Sequence, residues 1–154
     1  MNNLTCSKIW GEYPFAHRQP THDGHCRWVH GHGWKFEVEF SCTQRDTNGF
    51  VVDFGKLKFI RNMFDEMFDH TLVLSKNDPE RNFFEEMQKK DLAKITWVDD
   101  VSAEGLALFL VDVVNEAVNE ATNGRVQASR VRVYEQPDDW ADAFLIIDRC
   151  GCCK

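Results

Sequence analysis

The sequence predicts an α+β fold in which an antiparallel four-stranded sheet carries two long helices packed on one face. Three observations support this fold class. Residues 34–40 alternate apolar and charged side chains, as a half-buried strand does. Residues 54–68 and 102–123 repeat apolar side chains at helical spacing. Two apolar segments near the end of the chain are separated by a loop, which is typical of a hairpin.

The first half of the chain supplies two strands and one helix. Residues 4–15 are rich in apolar and aromatic side chains and predict the first strand. In the second strand, residues 34–40, the apolar side chains share one face; they are Trp34, Phe36, Val38 and Phe40. Asn48-Gly49 predicts a turn, and residues 54–68 then form the first helix. Its apolar stripe consists of Leu57, Ile60, Phe64 and Met67.

The second half is less regular at first. Within residues 75–100, Asn77-Asp78-Pro79 indicates a loop, 81–90 a short helix and 95–98 a short strand. The second long helix begins after Ser102, a suitable N-cap, and ends near Asn123-Gly124. Its predicted stripe is Leu106, Leu110, Val113, Ala117 and Ala121. Strands 128–135 and 143–148 close the chain, with 136–140 as their hairpin loop.

Length and composition predict one cytoplasmic domain. The chain has 154 residues, so we expect a single domain over 1–154. It has no apolar run long enough to span a membrane, and its N-terminus lacks the pattern of a signal peptide. The net charge of −7 argues against general nucleic-acid binding. It still allows an anionic small substrate, because a few Lys and Arg side chains can hold a phosphate locally.

Six cysteines without a secretion signal do not predict a disulfide framework. Three of them, Cys150, Cys152 and Cys153, lie in a short tail, residues 149–154. Chain termini are usually loosely held, so we interpret this tail as a loose end. The alternative interpretation is additional metal binding or a redox-sensitive contact.

The histidines carry the strongest chemical signal. Five of the six lie between His17 and His32. In His30-Gly31-His32, residues two apart on a strand point to the same side, which suits a pair of zinc ligands. A third histidine would complete a catalytic site that keeps one position open. The candidates are His17, His22, His25 and His70. The alternative is that the pair is structural or lies on the surface.

Three further positions allow more than one interpretation. Cys26, just before the histidine pair, could be a fourth metal ligand, a catalytic base or nucleophile, or an inert buried thiol. Asp69-His70 could be an acid–base pair, or simply a histidine placed favourably at a helix C-terminus. Glu135 ends a strand, where its carboxylate could accept two hydrogen bonds from a flat amidine-like edge.

Taken together, these segments resemble the 6-pyruvoyl-tetrahydropterin synthase family, and the resemblance covers nearly the whole chain. Their order and rough spacing agree with the family throughout. The matching segments are Phe15-Ala16-His17, Cys26 to His32, Val52-Asp53-Phe54 with Leu57-Lys58, Phe68-Asp69-His70, Ser102-Ala103-Glu104 and Val133-Tyr134-Glu135.

The resemblance implies a role for each matching position. The family's zinc ligands correspond to His17, His30 and His32, and its catalytic cysteine corresponds to Cys26. The Asp-His pair that activates the cysteine corresponds to Asp69 and His70. The residue that anchors the pterin ring corresponds to Glu135, and the segment lining the pterin pocket corresponds to Ser102, Ala103 and Glu104. In that segment, Ser102-Ala103 replaces the usual pair of hydroxyl residues.

The spacing before His-Gly-His also implies a branch of the family. Three residues separate Cys26 from His30, which resembles the bacterial 6-carboxy-tetrahydropterin synthase branch. This implies the tunnelling fold, Zn²⁺ as cofactor, and a hexamer of two trimers with active sites between subunits. The implied reaction converts 7,8-dihydroneopterin triphosphate to 6-carboxy-5,6,7,8-tetrahydropterin, acetaldehyde and triphosphate, on the route to 7-deazaguanine (queuosine-type) compounds.

Two alternatives to this reaction stay open. The same site could make 6-pyruvoyl-tetrahydropterin or cleave the pterin side chain in another way. A protein of a different class would bind zinc without catalysis, and it would have a closed site with Cys26 as the fourth ligand. The cations that could receive the triphosphate are Arg18, Arg27 and Lys35.

Overall fold

The computed structural model describes residues 3–146, which form six strands and three helices. In chain order these are β1 (Leu4–His17), β2 (His30–Cys42), α1 (Lys58–Phe68), β3 (Thr71–Ser75), α2 (Arg81–Lys89), β4 (Ile95–Val98), α3 (Ala103–Ala121), β5 (Gln127–Gln136) and β6 (Asp139–Phe144). None of the helices in this part of the chain is long and apolar enough to cross a membrane. Cys150, Cys152, Cys153 and the end of the predicted strand 143–148 lie outside the described residues.

The α+β class is confirmed, but the sheet is larger than predicted and is mixed. Its six strands run in the order β4–β3–β1–β2–β5–β6. The expected four-stranded antiparallel sheet was wrong because β3 pairs in parallel with both β1 and β4. A helix connects β3 to β4, and such a crossover returns the chain in the same direction. The pattern did not reveal β3, because Val73 and Leu74 are both fully buried and the segment therefore does not alternate.

The C-terminal hairpin begins earlier than predicted. Asp139 pairs with Gln136, and Trp140 pairs with Tyr134. The expected loop 136–140 is therefore a tight turn, and the last strand ends at Phe144. Asp139 and Trp140, which were predicted to lie in the loop, therefore belong to the sheet.

Both long helices pack on one face of the sheet, as predicted. The four apolar side chains of β2 that were assigned to this face, from Trp34 to Phe40, are fully buried. In α3 the buried stripe includes Leu106 and Leu110, but it continues through Val114 and Val118. The expected Val113, Ala117 and Ala121 are not buried. Apolar residues occur around most of this helix, so the sequence did not determine its rotation.

The segment between the two long helices covers the opposite face. Phe84 of α2 packs with Leu74 and Ile95 in a second, smaller core. Neighbouring strand residues point to opposite faces, so Val73 faces the main core while Leu74 faces α2. The predicted first helix 54–68 begins as a 3₁₀ turn at Phe54–Lys56 before α1 proper.

Candidate metal centre and active site

Three histidines and a glutamate meet at one end of the sheet. In the antiparallel β1–β2 pair, His17 lies opposite His30 and Phe15 lies opposite His32. Glu135 follows the buried Val133 by two residues on β5, so its side chain points to the same face. One ligand atom from each of His17, His30, His32 and Glu135 lies within 4.8 Å of all the others.

Backbone carbonyls set the protonation of two of these rings. His17 Nδ1 lies 2.9 Å from the carbonyl oxygen of Val101, and His30 Nδ1 lies 2.7 Å from that of Trp28. A carbonyl can only accept, so each Nδ1 carries the proton and donates it. Each Nε2 then presents a lone pair, and these two atoms face one another at 3.1 Å. Two lone pairs at this distance repel each other unless one ring gains a second proton or both bind the same metal ion.

The third imidazole, that of His32, has a ring nitrogen without a hydrogen-bond partner in the described part of the chain. His32 Nε2 is buried and makes no hydrogen bond within the described residues. Glu135 Oε1 approaches it to 3.1 Å without forming one. A buried ring nitrogen without a hydrogen bond, next to a carboxylate oxygen, is suited to bind a positive ion. The donor set of three imidazoles and one carboxylate therefore fits a divalent metal ion.

The pKa shifts of His32 and Glu135 both favour the protonation states that bind a metal. Burial lowers the pKa of His32, which favours the neutral imidazole that binds metals, although Glu135 opposes this effect. Hydrogen bonding with His17 lowers the pKa of Glu135, whose burial acts in the opposite direction. A hydrogen bond from His17 Nε2 would require a second proton on that ring, because Nδ1 already donates to Val101. A metal ion would supply the same positive charge.

The geometry distinguishes among the histidines that the sequence left open. Of the candidates for the third ligand, His17 alone joins the cluster within residues 3–146. His17 is almost fully buried, whereas His22 and His25 are exposed. The spacing in the sequence could not make this choice. The pairing of β1 with β2 makes it.

Cys26 lies close to the cluster in the chain but is not a member of it. It is half-buried and lies in an otherwise exposed 3₁₀ turn, His25–Arg27, in the connection between β1 and β2. Its carbonyl accepts a 2.8 Å hydrogen bond from the backbone of Gln19, which ties the turn to the end of β1. The fourth member of the cluster is Glu135 and not Cys26.

Asp69 and His70 form a pair that lies apart from the cluster. His70 Nδ1 lies 2.8 Å from Asp69 Oδ1, and the two side chains are 81% and 51% exposed. The backbone of His70 donates to Pro14, three residues before His17 on β1. Three strand residues span about 10 Å. The structure thus places this pair on the surface, away from the cluster of its own chain.

The predicted pocket segment directly follows a residue whose backbone contacts the metal cluster. Val101, whose carbonyl holds His17, directly precedes Ser102. Ser102 caps α3, since its hydroxyl accepts a 3.0 Å hydrogen bond from Gly105. Ala103 is buried and Glu104 is exposed. Sequence analysis missed Val101, because a backbone carbonyl leaves no signature in the identity of its side chain.

A pocket of about 240 Å³ opens beside the cluster. Its lining residues are Glu12, His32, Gly33, Lys35, Tyr134, Glu135, Gln136 and Pro137. Lys35 Nζ lies 3.1 Å from Glu12 Oε1, and both side chains are substantially exposed. Glu135 therefore borders the histidines on one side and this pocket on the other.

Of the three cations considered for an anionic substrate, Arg18 is already engaged. Its Nε and Nη2 atoms each donate a 2.8 Å hydrogen bond to Asp78, whose carboxylate is fully buried. Arg27 is exposed, and its guanidinium stacks over Trp28 at 5.1 Å. Arg18 therefore uses its charge and two of its N–H donors on a buried carboxylate, whereas Arg27 and Lys35 are more exposed to a substrate.

Known proteins resemble this chain in sequence and in fold. Residues 7–144 match the family model described as 6-pyruvoyl tetrahydropterin synthase. The 6-carboxy-5,6,7,8-tetrahydropterin synthase of Rickettsia felis is 29% identical over 129 residues, which cover 82% of this chain and 91% of that protein. The enzyme of the same name from Haemophilus influenzae is 25% identical over 142 residues, covering 88% of this chain and 96% of its own length.

Solved structures agree on the fold. An uncharacterized protein from Wolinella succinogenes superposes with a TM-score of 0.79 at 18% identity, over 94% of this chain and 99% of its own. The 6-pyruvoyl tetrahydropterin synthase of Caenorhabditis elegans gives a TM-score of 0.65 at 19% identity, over 95% and 98% of the two chains. These similarities confirm the predicted tunnelling fold. Together with the match over residues 7–144, they establish that the chain belongs to the 6-pyruvoyl tetrahydropterin synthase family.

Proposed function

We propose that this protein is a zinc-dependent carbon–carbon lyase that converts 7,8-dihydroneopterin triphosphate to 6-carboxy-5,6,7,8-tetrahydropterin. One water is consumed, acetaldehyde and triphosphate are the other products, and the reaction belongs to the formation of 7-deazaguanine compounds. The observation that carries the proposal is the three-histidine cluster with the carboxylate of Glu135 beside it. The names of the relatives that align over most of the chain support the choice of product.

In this proposal, zinc would be held by His17, His30 and His32. When bound there it supplies a Lewis acid for the side-chain hydroxyls of the substrate, which lowers the cost of removing a carbon-bound proton. Glu135 accepts hydrogen bonds from the amidine-like edge of the pterin. Cys26, as a thiolate, takes and returns the proton.

The triphosphate needs cations close to the cluster, and two remain available. Lys35 lines the pocket that His32 and Glu135 share, and Arg27 directly follows Cys26. Each can offer several N–H donors to phosphate oxygens. We assign the triphosphate to these two residues, because both donor nitrogens of Arg18 that face Asp78 are already used.

We further propose that Asp69 and His70 activate Cys26 of a neighbouring subunit in a hexamer built from two trimers. The exposure of the pair and its separation from its own cluster support a role at another chain. An active site shared in this way would divide its catalytic residues between subunits. Ser102, Ala103 and Glu104 would line the pterin pocket next to the Val101 carbonyl.

Mixing two inactive variants should therefore restore activity. Cys26→Ala and His70→Ala each remove one component of a shared site, and we expect both homogeneous proteins to be inactive. After dissociation and reassembly of an equal mixture, about one quarter of the sites would combine an intact Cys26 with an intact His70. Turnover should rise to roughly that fraction of the wild-type rate. A mixture that stays inactive, although mixed oligomers are demonstrated by mass spectrometry, would contradict the shared site.

The reaction itself is tested by incubating the zinc-loaded protein with 7,8-dihydroneopterin triphosphate. The expected outcome is acetaldehyde together with a 6-carboxy pterin identified by mass. A 6-pyruvoyl or 6-hydroxymethyl product would assign the protein to another branch of the family. Zinc-bound protein without turnover would favour a non-catalytic zinc protein, although that alternative predicted Cys26 and not Glu135 as the fourth member of the cluster.

A further inference from the structure

We propose that Glu135 is the fourth ligand of the metal in the substrate-free protein and that it leaves the metal when it binds the pterin edge. The inference uses the metal site of the proposed function but not its reaction. The Glu135 carboxylate would bind the metal first and the pterin edge afterwards. The site would then be closed to water and small anions until a pterin ring enters.

Three distances in the cluster are close to those of a coordination tetrahedron that includes Glu135. For metal–ligand bonds of about 2.0–2.1 Å, neighbouring ligand atoms of a tetrahedron lie about 3.3–3.4 Å apart. His17 Nε2 lies 3.1 Å from His30 Nε2 and 3.4 Å from Glu135 Oε1. Glu135 Oε1 lies 3.1 Å from His32 Nε2. Three of the six edges therefore lie within about 0.3 Å of the tetrahedral length, and two of these three include Glu135.

The carboxylate also approaches the metal-facing nitrogens and not the opposite ones. Carboxylates that merely orient a metal-binding histidine bind its other ring nitrogen. In His17 and His30 that nitrogen, Nδ1, is taken by the carbonyls of Val101 and Trp28. Glu135 instead points its Oε1 at two Nε2 atoms, one of which has no hydrogen-bond partner. This is the position of a ligand.

The two roles of Glu135 exclude each other, which makes them sequential. An amidine-like edge is held by both carboxylate oxygens turned toward it, whereas metal ligation uses one lone pair of Oε1 and turns that oxygen toward the histidines. The Glu135 side chain is 29% exposed and also borders the pocket beside Lys35 and Tyr134. It can therefore turn from the histidines toward a ring in that pocket without unfolding β5.

The test uses Co²⁺-substituted protein, whose visible absorption reports the ligands, and azide, a small anion that binds an open metal position. Wild type is compared with Glu135→Ala and with Glu12→Gln, which alters the other carboxylate of the same pocket. We expect the wild-type and Glu12→Gln spectra to resist azide. Glu135→Ala should respond at an azide concentration at least about tenfold lower. Equal azide responses in wild type and Glu135→Ala would overturn the ligation.

A second titration tests the release. Unsubstituted pterin has the recognised edge but lacks the hydroxylated side chain that could reach the metal. Its binding, followed by quenching of pterin fluorescence, should change the Co²⁺ spectrum of the wild type toward that of Glu135→Ala and make it sensitive to azide. Binding without a spectral change would overturn the release. Absence of pterin binding would also overturn the release and would count against the proposed function, whereas the azide comparison judges ligation alone.

Discussion

Cys26→Ala is expected to lower turnover of 7,8-dihydroneopterin triphosphate by about 10³-fold or more, while the protein keeps its zinc. A positioned acid–base group contributes about 10²- to 10⁴-fold, and here the same group must both take and return the proton. Zinc should stay bound because the cluster holds His17, His30, His32 and Glu135 but not Cys26. Steady-state kinetics together with metal analysis of the same sample measure both effects.

Cys6→Ala is the matched control for this experiment. Cys6 is also a half-buried free thiol, but it pairs with Phe40 near the other end of the β1–β2 ladder from His17 and His30. Burial raises the pKa of Cys6, which keeps it a thiol. We expect Cys6→Ala to retain wild-type kinetics. Full turnover by zinc-loaded Cys26→Ala would show that another group moves the proton.

His32→Ala should remove the metal and, with it, all measurable turnover. Loss of a residue that only orients a metal ligand typically weakens metal binding about 10- to 100-fold, and loss of a ligand itself should exceed this. His32 Nε2 makes no hydrogen bond among the described residues, so this nitrogen is free to bind the metal. We expect less than about one tenth of a zinc ion per chain after dialysis, measured by atomic emission.

His25→Ala provides the comparison, because it removes an exposed histidine from the connection between β1 and β2 without touching the cluster. It should keep its zinc and its turnover. Circular dichroism should match wild type for both variants. His32 lies near the start of β2, and the buried aromatic side chains that begin at Trp34 are unchanged. Stoichiometric zinc in His32→Ala would contradict the assignment of this ligand.

Strands and helices with a clear periodic pattern of apolar residues were predicted well. Strands that form only through pairing with a neighbouring strand were not. The alternation from Trp34 to Phe40 and the capping hydroxyl of Ser102 are confirmed. The strand Thr71–Ser75 was missed, since a strand buried on both faces has no alternation to detect. The last strand was placed several residues too late, because Asp139 and Trp140 join the sheet only through pairing with β5.

The sequence by itself determined the chemistry available at the site. His30-Gly31-His32 on a strand must present two imidazoles to one side, because side chains two residues apart share a face. The order of the matching segments, from Phe15-Ala16-His17 to Glu135, pointed to the family that the comparisons establish. Both inferences depend on residues that are neighbours in the chain or on their order along it.

Only the tertiary structure decided which distant residues meet. The β1–β2 register places His17 opposite His30. Glu135 joins the same cluster because its side chain lies on the same face of the sheet as the histidines. The parallel pairing of β3 with β1 carries Asp69 and His70 away from that cluster and leaves them on the surface. Strand register and direction are set by pairing over the whole sheet, and a shift of one residue would turn each of these side chains to the opposite face.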